Sequence, residues 1–403
     1  MKIQLNVVPP LRPDLVVKEG AKVVLSEPMR RFACNQKGCC CSGWDIPFRL
    51  EDFLRLSEVL APAEREEMSR GIQLVLEAPK QGDTQQILHS LKLAGVGESR
   101  SCRFLEPAGG CGVHAKHGLA ALPDLCVDFP AFAYQQEERV ELWFDPVCPE
   151  VLNQLGESDA PLELFTQQGK FEDPGYNLRV AHTADRIAAR IGDQRVEVVH
   201  LDAIRKACVA ALAVEQPIWK SLAALLHAFR RLRTGNEAAF EVVEPEDPQP
   251  FLRFLYSCVG AHGAELLGQS IARYRRFIYA IDPALLLSRL PALIDHLEAW
   301  EPAMERYLGP AEESLRPLAA RWLAHRFGTP MVKGRGELRA AADDIAQLYG
   351  TSLRIASALG ATLDAPVDRA LYKVAIGAAE FFFRSLNLPR EALPAFAAPA
   401  RNA

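Results

Sequence analysis

The chain has 403 residues, 49% of them hydrophobic, and a formal net charge of −5. Its length and apolar fraction allow a large buried core in two globular domains. The acidic balance gives no bulk attraction to nucleic acid or an anionic membrane, and no run approaches the ~18 apolar residues of a membrane span, so neither is expected as a partner.

Residues 1–30 are expected to be extended or irregular, because Pro9, Pro10 and Pro13 discourage helix. Residues 1–19 mix these prolines with charges and lack the apolar segment of a secretory signal. The expected compartment is therefore the cytoplasm, where stable disulfides are rare. Residues 32–44, FACNQKGCCCSGW, then set Cys34, Cys39, Cys40 and Cys41 within eight positions. Residues 50–70 predict one helix with charged faces, running from Leu50, Phe53, Leu54 and Leu56 to the acidic run at Glu64 to Glu67. Residues 72–76 alternate like a strand, and residues 85–93 fit either type. Gly109, Gly110 and Pro123 make much of 101–130 loop. Residues 131–134 and 140–144 predict a hairpin, and Cys148 follows its second strand.

From about residue 160 the chain turns to alanine, leucine and arginine. Ile218, Leu222, Leu225, Phe229 and Leu232 line one face of a 3.6-period helix, with Pro217 suited to its first turn and Gly235 to its C′ position. A similar helix covers 201–212 and carries Cys208 on its apolar face, so Cys208 is expected to be a buried core thiol, as is Cys258. The run EPEDPQP at 244–250 predicts a loop. Helices are expected over 251–280, 283–307, 310–327, 336–359 and 366–386. The last begins at Pro366 and carries Val367, Leu371, Val374, Ala378 and Phe381 at helical spacing, with Phe381, Phe382 and Phe383 in the core. The arginines at 230, 231 and 233, and at 273, 275 and 276, are expected on solvated faces or at helix C-termini. The expected fold is mainly α. A cysteine-rich module with short strands fills residues 1–155, an all-helical domain fills 160–390, and 391–403 form a disordered tail.

Eight of the ten cysteines precede residue 150, which argues for metal rather than cross-links in a reducing compartment. Cys34, Cys39, Cys40 and Cys41 are followed after sixty residues by Cys102, Cys111, Cys126 and Cys148. These spacings match neither the paired C-x2-C of zinc ribbons nor the ferredoxin patterns. The thiols form a dispersed set that only the fold can gather. Adjacent residues such as Cys40 and Cys41 point in different directions, so they rarely serve one ion together. One zinc or one [4Fe–4S] cluster needs four thiolates; eight cysteines allow two sites, one site with spare thiols, or a redox dithiol beside the site. His114 and His117 are further ligand candidates, read more readily as polar loop residues. No strand–GxGxxG–helix unit occurs, and Gly95-Val96-Gly97 is too short for one, so no Rossmann fold is expected.

As an ordered series these motifs resemble the flagellin lysine N-methylase family, within a wider group of zinc- or iron-chelating cysteine-cluster proteins. The resemblance runs over about residues 30–150. It rests on Cys34, Cys39, Cys40, Cys41, Gly43 and Trp44; on Cys102, Phe104, Leu105 and Cys111; on Gly118, Leu122, Pro123, Cys126, Phe129 and Pro130; and on Cys148, Pro149 and Glu150. Chain length and a helical C-terminal half agree as well. The family places a short spacer between its second cysteine and the CC pair, whereas here Cys39 runs straight into Cys40-Cys41. The resemblance implies methyl transfer from S-adenosylmethionine to lysines of flagellin, with an iron–sulfur cluster needed for activity.

That reaction needs a lysine amine stripped of its proton, hence a base or a desolvated pocket. Asp128, Tyr134 and Glu150 lie near the motif cysteines and are candidates, each equally readable as a structural hydrogen-bonding group. Trp44 could face the sulfonium of S-adenosylmethionine, or belong to the core. Two other readings stay open from the residues alone. One is a non-enzymatic zinc or iron module that lets the helical domain bind a protein partner; the other is a redox protein built on Cys39, Cys40 and Cys41.

Overall fold

The computed structural model describes residues 22–32, 41, 46–48, 50–77, 88–93, 101–106, 109–136, 139–168, 180–182, 189–232, 240–260, 263–274, 281–328 and 337–385. These residues are mainly helical, with small sheets. Strand β1 (Lys22–Ser26) opens the described chain and buries Val23, Val24 and Leu25. A 3-10 turn (Glu27–Arg31) and Phe32 follow. Strand β2 (Ile46–Phe48) then leads into helices α1 (Leu50–Val59) and α2 (Pro62–Gly71). The single helix expected over 50–70 is thus two. Pro62 cannot donate to the preceding turn, so the chain breaks at Leu60 and restarts with Pro62 in a first turn, where its missing N–H costs nothing.

The ambiguous stretch resolves as strands. β3 (Ile72–Glu77) pairs antiparallel with β4 (Leu88–Leu93), which pairs with β2 on its other edge. Helices α3 (Gly112–His117) and α4 (Asp124–Asp128) interrupt the expected loop. The predicted hairpin is present as β5 (Ala131–Gln136) and β6 (Arg139–Phe144), in register Ala131↔Phe144. Helix α5 (Pro149–Leu155) begins directly after Cys148.

Residues beyond 160 are not all helical. β7 (Leu164–Gln168) and β8 (Val180–His182) complete a five-stranded sheet in the order β7-β1-β6-β5-β8, and β9 (Arg190–Ile191) with β10 (Gln194–Arg195) forms a small ribbon. Periodicity misses these strands because they are two to five residues long. The sheet therefore joins chain from both sides of residue 160, with β1 parallel to β6 and antiparallel to β7.

The helices that follow are α6 (Val198–Ala213), α7 (Ile218–Arg231), α8 (Gln249–Gly260) and α9 (Ala264–Tyr274). Next come α10 (Pro283–Ser288), α11 (Leu290–Glu298), α12 (Trp300–Ala303), α13 (Glu312–Gly328), α14 (Leu338–Leu363) and α15 (Arg369–Ser385). Within the helix expected over 251–280 the described elements are α8, ending at Gly260, and α9, beginning at Ala264, and the helix expected over 283–307 divides where Pro291 opens α11. Helix α14 runs on to Leu363, where Asp364 takes the left-handed cap conformation at φ 49°. Helix α15 starts at Arg369 rather than Pro366, because the Asp368 carboxylate accepts the Leu371 N–H at 2.7 Å and serves as a first-turn cap. Gly235, the Cys258 side chain and the tail from 386 lie outside the described residues.

Two apolar cores result. The large one runs from Val23 and Phe32 through Cys208 to Phe382, and contains the predicted stripe of Leu222, Leu225 and Phe229. Buried polar braces tie its helices to the sheet. Arg205 donates to both oxygens of Glu141 at 2.5 and 2.7 Å, the bidentate geometry that suits a buried pair. His325 sits between the Ser26 hydroxyl and the Phe144 carbonyl, 2.7 Å from each. The carbonyl can only accept, so Nε2 carries the proton and Nδ1 accepts from Ser26. Arg230 lies in the last turn of α7, as expected of a helix C-terminal charge, and also pairs with the buried Asp343. Burial outweighs that pairing and raises the Asp343 carboxyl to about 6. The small core is separate: Ile46, Leu56, Leu60, Met68, Leu93, Val113, Ala121, Leu122 and Val127.

Candidate metal centre

The small core organises three of the six cysteines whose side chains are described. Cys102, Cys111 and Cys126 are half-buried and pack against its edge, beside Phe53, Phe104 and Leu125. Each is set there by a local device. Cys102 opens a turn in which Leu105 N–H returns to its carbonyl at 3.1 Å. Leu105 then bridges antiparallel to Cys111. The reversal between them needs Gly109 and Gly110, whose φ values of 89° and 87° are strained for any residue with a Cβ. The Gly112 N–H closes the loop on the Phe104 carbonyl at 2.8 Å. Cys126 lies in α4, where its N–H bonds the Pro123 carbonyl at 2.9 Å. Helix α4 packs against β2, the first strand after the cysteine run.

Cys41 is buried, and its carbonyl accepts the Cys102 N–H at 2.6 Å. That bond fixes the end of the crowded stretch against the second cysteine region. The start of the stretch is fixed elsewhere. Phe32 belongs to the large core and packs its ring 5.2 Å from that of Phe144. Four residues after Phe144 comes Cys148, buried in the same large core at the start of α5. Its position is held by the Asp145 carbonyl, which accepts the Cys148 N–H at 2.9 Å, and by Tyr274, whose hydroxyl donates to the Val147 carbonyl at 3.1 Å. Asp145 N–H in turn bonds the Pro130 carbonyl at 2.9 Å, which links the Cys148 turn to the chain leaving α4.

The chain matches no family model, no curated protein and no solved structure.

Cys34, Cys39, Cys40 and Trp44 lie outside the described residues, as do the side chains of Asp128 and Tyr134. Among the described residues, no group of three or more His, Cys, Asp or Glu side chains is gathered to hold one metal ion. His114 and His117 both fall in the last turn of α3, and His117 Nε2 faces the Glu64 carboxylate at 3.8 Å. Lys116 also reaches Glu64, at 2.7 Å; that hydrogen bond, with the Ala61 N–H, holds the Glu64 carboxyl below its ordinary range. Glu150 is half-buried in the first turn of α5 and accepts from Asn153 Nδ2 at 3.3 Å. Cys208 is fully buried in the large core, away from the small one, and burial pushes its thiol up.

The thiols divide between the two cores: Cys102, Cys111 and Cys126 border the small one, Cys148 and Cys208 lie in the large one, and Cys41 is tied to the first group by a backbone bond. A dispersed spacing carries no signal for that division, because it depends on which strands pair around the cysteines.

Proposed function

We propose that the protein carries an iron–sulfur cluster on cysteine thiolates and acts as a protein lysine N-methylase, moving a methyl group from S-adenosylmethionine to flagellin. The observation that carries this reading is the pinning of the cysteine run at both ends. Phe32 holds one end beside Phe144, in the core that contains Cys148, and Cys41 is bonded to Cys102 at the other. The ordered motif resemblance supplies the activity.

The donor chemistry fits the group. Half-buried sulfur donors at the edge of a small core suit a soft metal, and a core of that size gains from the cross-link. The proposed ligands are drawn from Cys34, Cys39, Cys40, Cys41, Cys102, Cys111, Cys126 and Cys148, of which the described ones alone gather no group of three. When bound, the cluster would supply iron able to act as a Lewis acid and electron-transfer capacity.

The chain's own groups bind the reactants and move the proton. An aromatic face such as Trp44 attracts the sulfonium of the methyl donor. The lysine ammonium first gives up a proton, for which Glu150 is the candidate acceptor. The amine lone pair then forms the N–C bond as the S–C bond breaks, and S-adenosylhomocysteine leaves.

Anaerobically purified protein is expected to be brown, to contain iron and acid-labile sulfide in matching amounts, and to transfer label from S-adenosylmethionine to flagellin lysines. Replacing Cys39 and Cys40 together by serine should remove the iron, while Cys208→Ala should leave it in place. A colourless protein with stoichiometric zinc overturns the cluster. Cluster-loaded protein that labels no lysine overturns the methylase.

A further inference from the structure

The helical half encloses a feature that thiol chemistry does not use. A cavity of about 1190 Å³ opens between the α6–α7 connection, α8, α12 and the turns after it, and one face each of α13, α14 and α15. Its charge is one-sided. Glu215, Glu301, Glu305, Glu312 and Glu313 line it against a single Arg316, whose guanidinium already donates to the Val214 carbonyl at 3.0 Å. Its apolar wall combines the rings of Trp219, Trp300, Tyr349 and Tyr372 with aliphatic side chains such as Leu252 and Leu353. Lys220 Nζ stands 5.7 Å from the centre of the Trp219 ring, so one of these rings already attracts a cation.

The wall also holds an unmatched polar atom. Tyr349 is 4% exposed and lines the cavity, yet its hydroxyl makes no hydrogen bond among the described residues. Burial, with the neighbouring Tyr372 phenol and the Glu312 carboxylate, keeps that phenol neutral far above its ordinary range. Its oxygen can therefore accept an N–H. An anion entering here would meet five carboxylates. A neutral apolar ligand would leave Tyr349 unmatched and draw nothing from the rim.

We propose that this cavity binds a primary alkylammonium group. The methylenes pack on the aromatic wall, an N–H donates to the Tyr349 hydroxyl, and the charge is held by Glu312 and the acidic rim. A lysine side chain of a peptide and a free aliphatic polyamine share this chemistry. The cavity lining includes no cysteine. Glu312 and His325 lie on the same helix α13, about 20 Å apart along its axis, and it is His325 that meets the sheet.

The test uses the full-length protein as purified. It is titrated with spermidine, with Nα-acetyl-lysine methylamide and with the uncharged isostere Nα-acetyl-norleucine methylamide, and followed by calorimetry and tryptophan fluorescence. At least one amine is expected to bind about tenfold or more tighter than the isostere, and to lose affinity as salt rises. Tighter spermidine identifies a polyamine site, and a tighter lysine derivative identifies a site for a peptide side chain. Tyr349→Phe should weaken the amine several-fold while leaving the thermal midpoint nearly unchanged. Equal binding of the isostere and both amines overturns the proposal, as does the absence of amine binding at millimolar concentration. The comparison of ligands on the unmodified protein decides the matter even if the variant folds poorly.

Discussion

Replacing His325 by glutamine should remove a defined share of the protein's acid sensitivity. The imidazole is fully buried between Ser26 and Phe144, and burial lowers its pKa from 6.5 to about 4 against the opposing pull of the Phe144 carbonyl. Between those values the unfolded chain takes up a proton that the folded chain excludes. Stability therefore falls as pH drops through 6.5, and the loss levels off below about 4. At pH 5.0 the unfolded imidazole has gained about 1.5 pH units of protonation, which corresponds to about 2 kcal/mol. Glutamine can keep both hydrogen bonds, with its amide donating to Phe144 and its oxygen accepting from Ser26, and it has no proton to gain. Urea denaturation of both proteins at pH 7.5 and 5.0 measures the difference. The native protein should lose about 2 kcal/mol more than His325→Gln on acidification. Asp343 works in the opposite sense, since its raised carboxyl takes up a proton in the folded state first, but it is present in both proteins and cancels. Equal losses in the two proteins would refute the reasoning.

Leu56→Ala opens a cavity in the small core and should cost about 2–5 kcal/mol locally. Hydrogen exchange should accelerate between residues 46 and 128 while amides of α14 keep their protection. Gly377→Ala should destabilise the large core by roughly 1–3 kcal/mol in thermal unfolding, because the added methyl would overlap the Tyr274 hydroxyl. Cys208, with its thiol pushed up by burial, should react with a thiol reagent only after denaturant is added, as counted by mass spectrometry.

What the sequence makes legible here is what neighbouring residues decide. The stripe through Leu222, Leu225 and Phe229 and the hairpin of β5 and β6 follow from local periodicity, and both are present. The burial of Cys208 follows from the same periodicity. Breaks inside long helical stretches were legible in principle from Pro62 and Pro291, each of which opens a new helix. Other features belong to distant pairs. Ser26 meets His325 across 299 positions, and Arg205 meets Glu141 across 64, so neither brace leaves a local pattern. The same holds for the site. The cysteines are visible as donors, but their division between two cores is set by which strands pair around them. The cavity glutamates come from separate segments and look like ordinary solvated charges when met one at a time.

The parallel pairing of β1 with β6 bears on how the chain reaches its folded state. Lys22 and Arg139 are partners 117 positions apart, and the small core lies wholly between them. Closing so long a loop from an unstructured chain is slow, because its entropy cost grows with the logarithm of loop length. If residues 46–128 have already condensed, the flexible part shrinks to about 35 residues, which lowers the closure cost by about 1 kcal/mol and speeds the encounter roughly sixfold. The sheet is then assembled around a preformed knot of chain. Any ligand that tightens the small core acts, in effect, as a folding catalyst for the strands on either side of it.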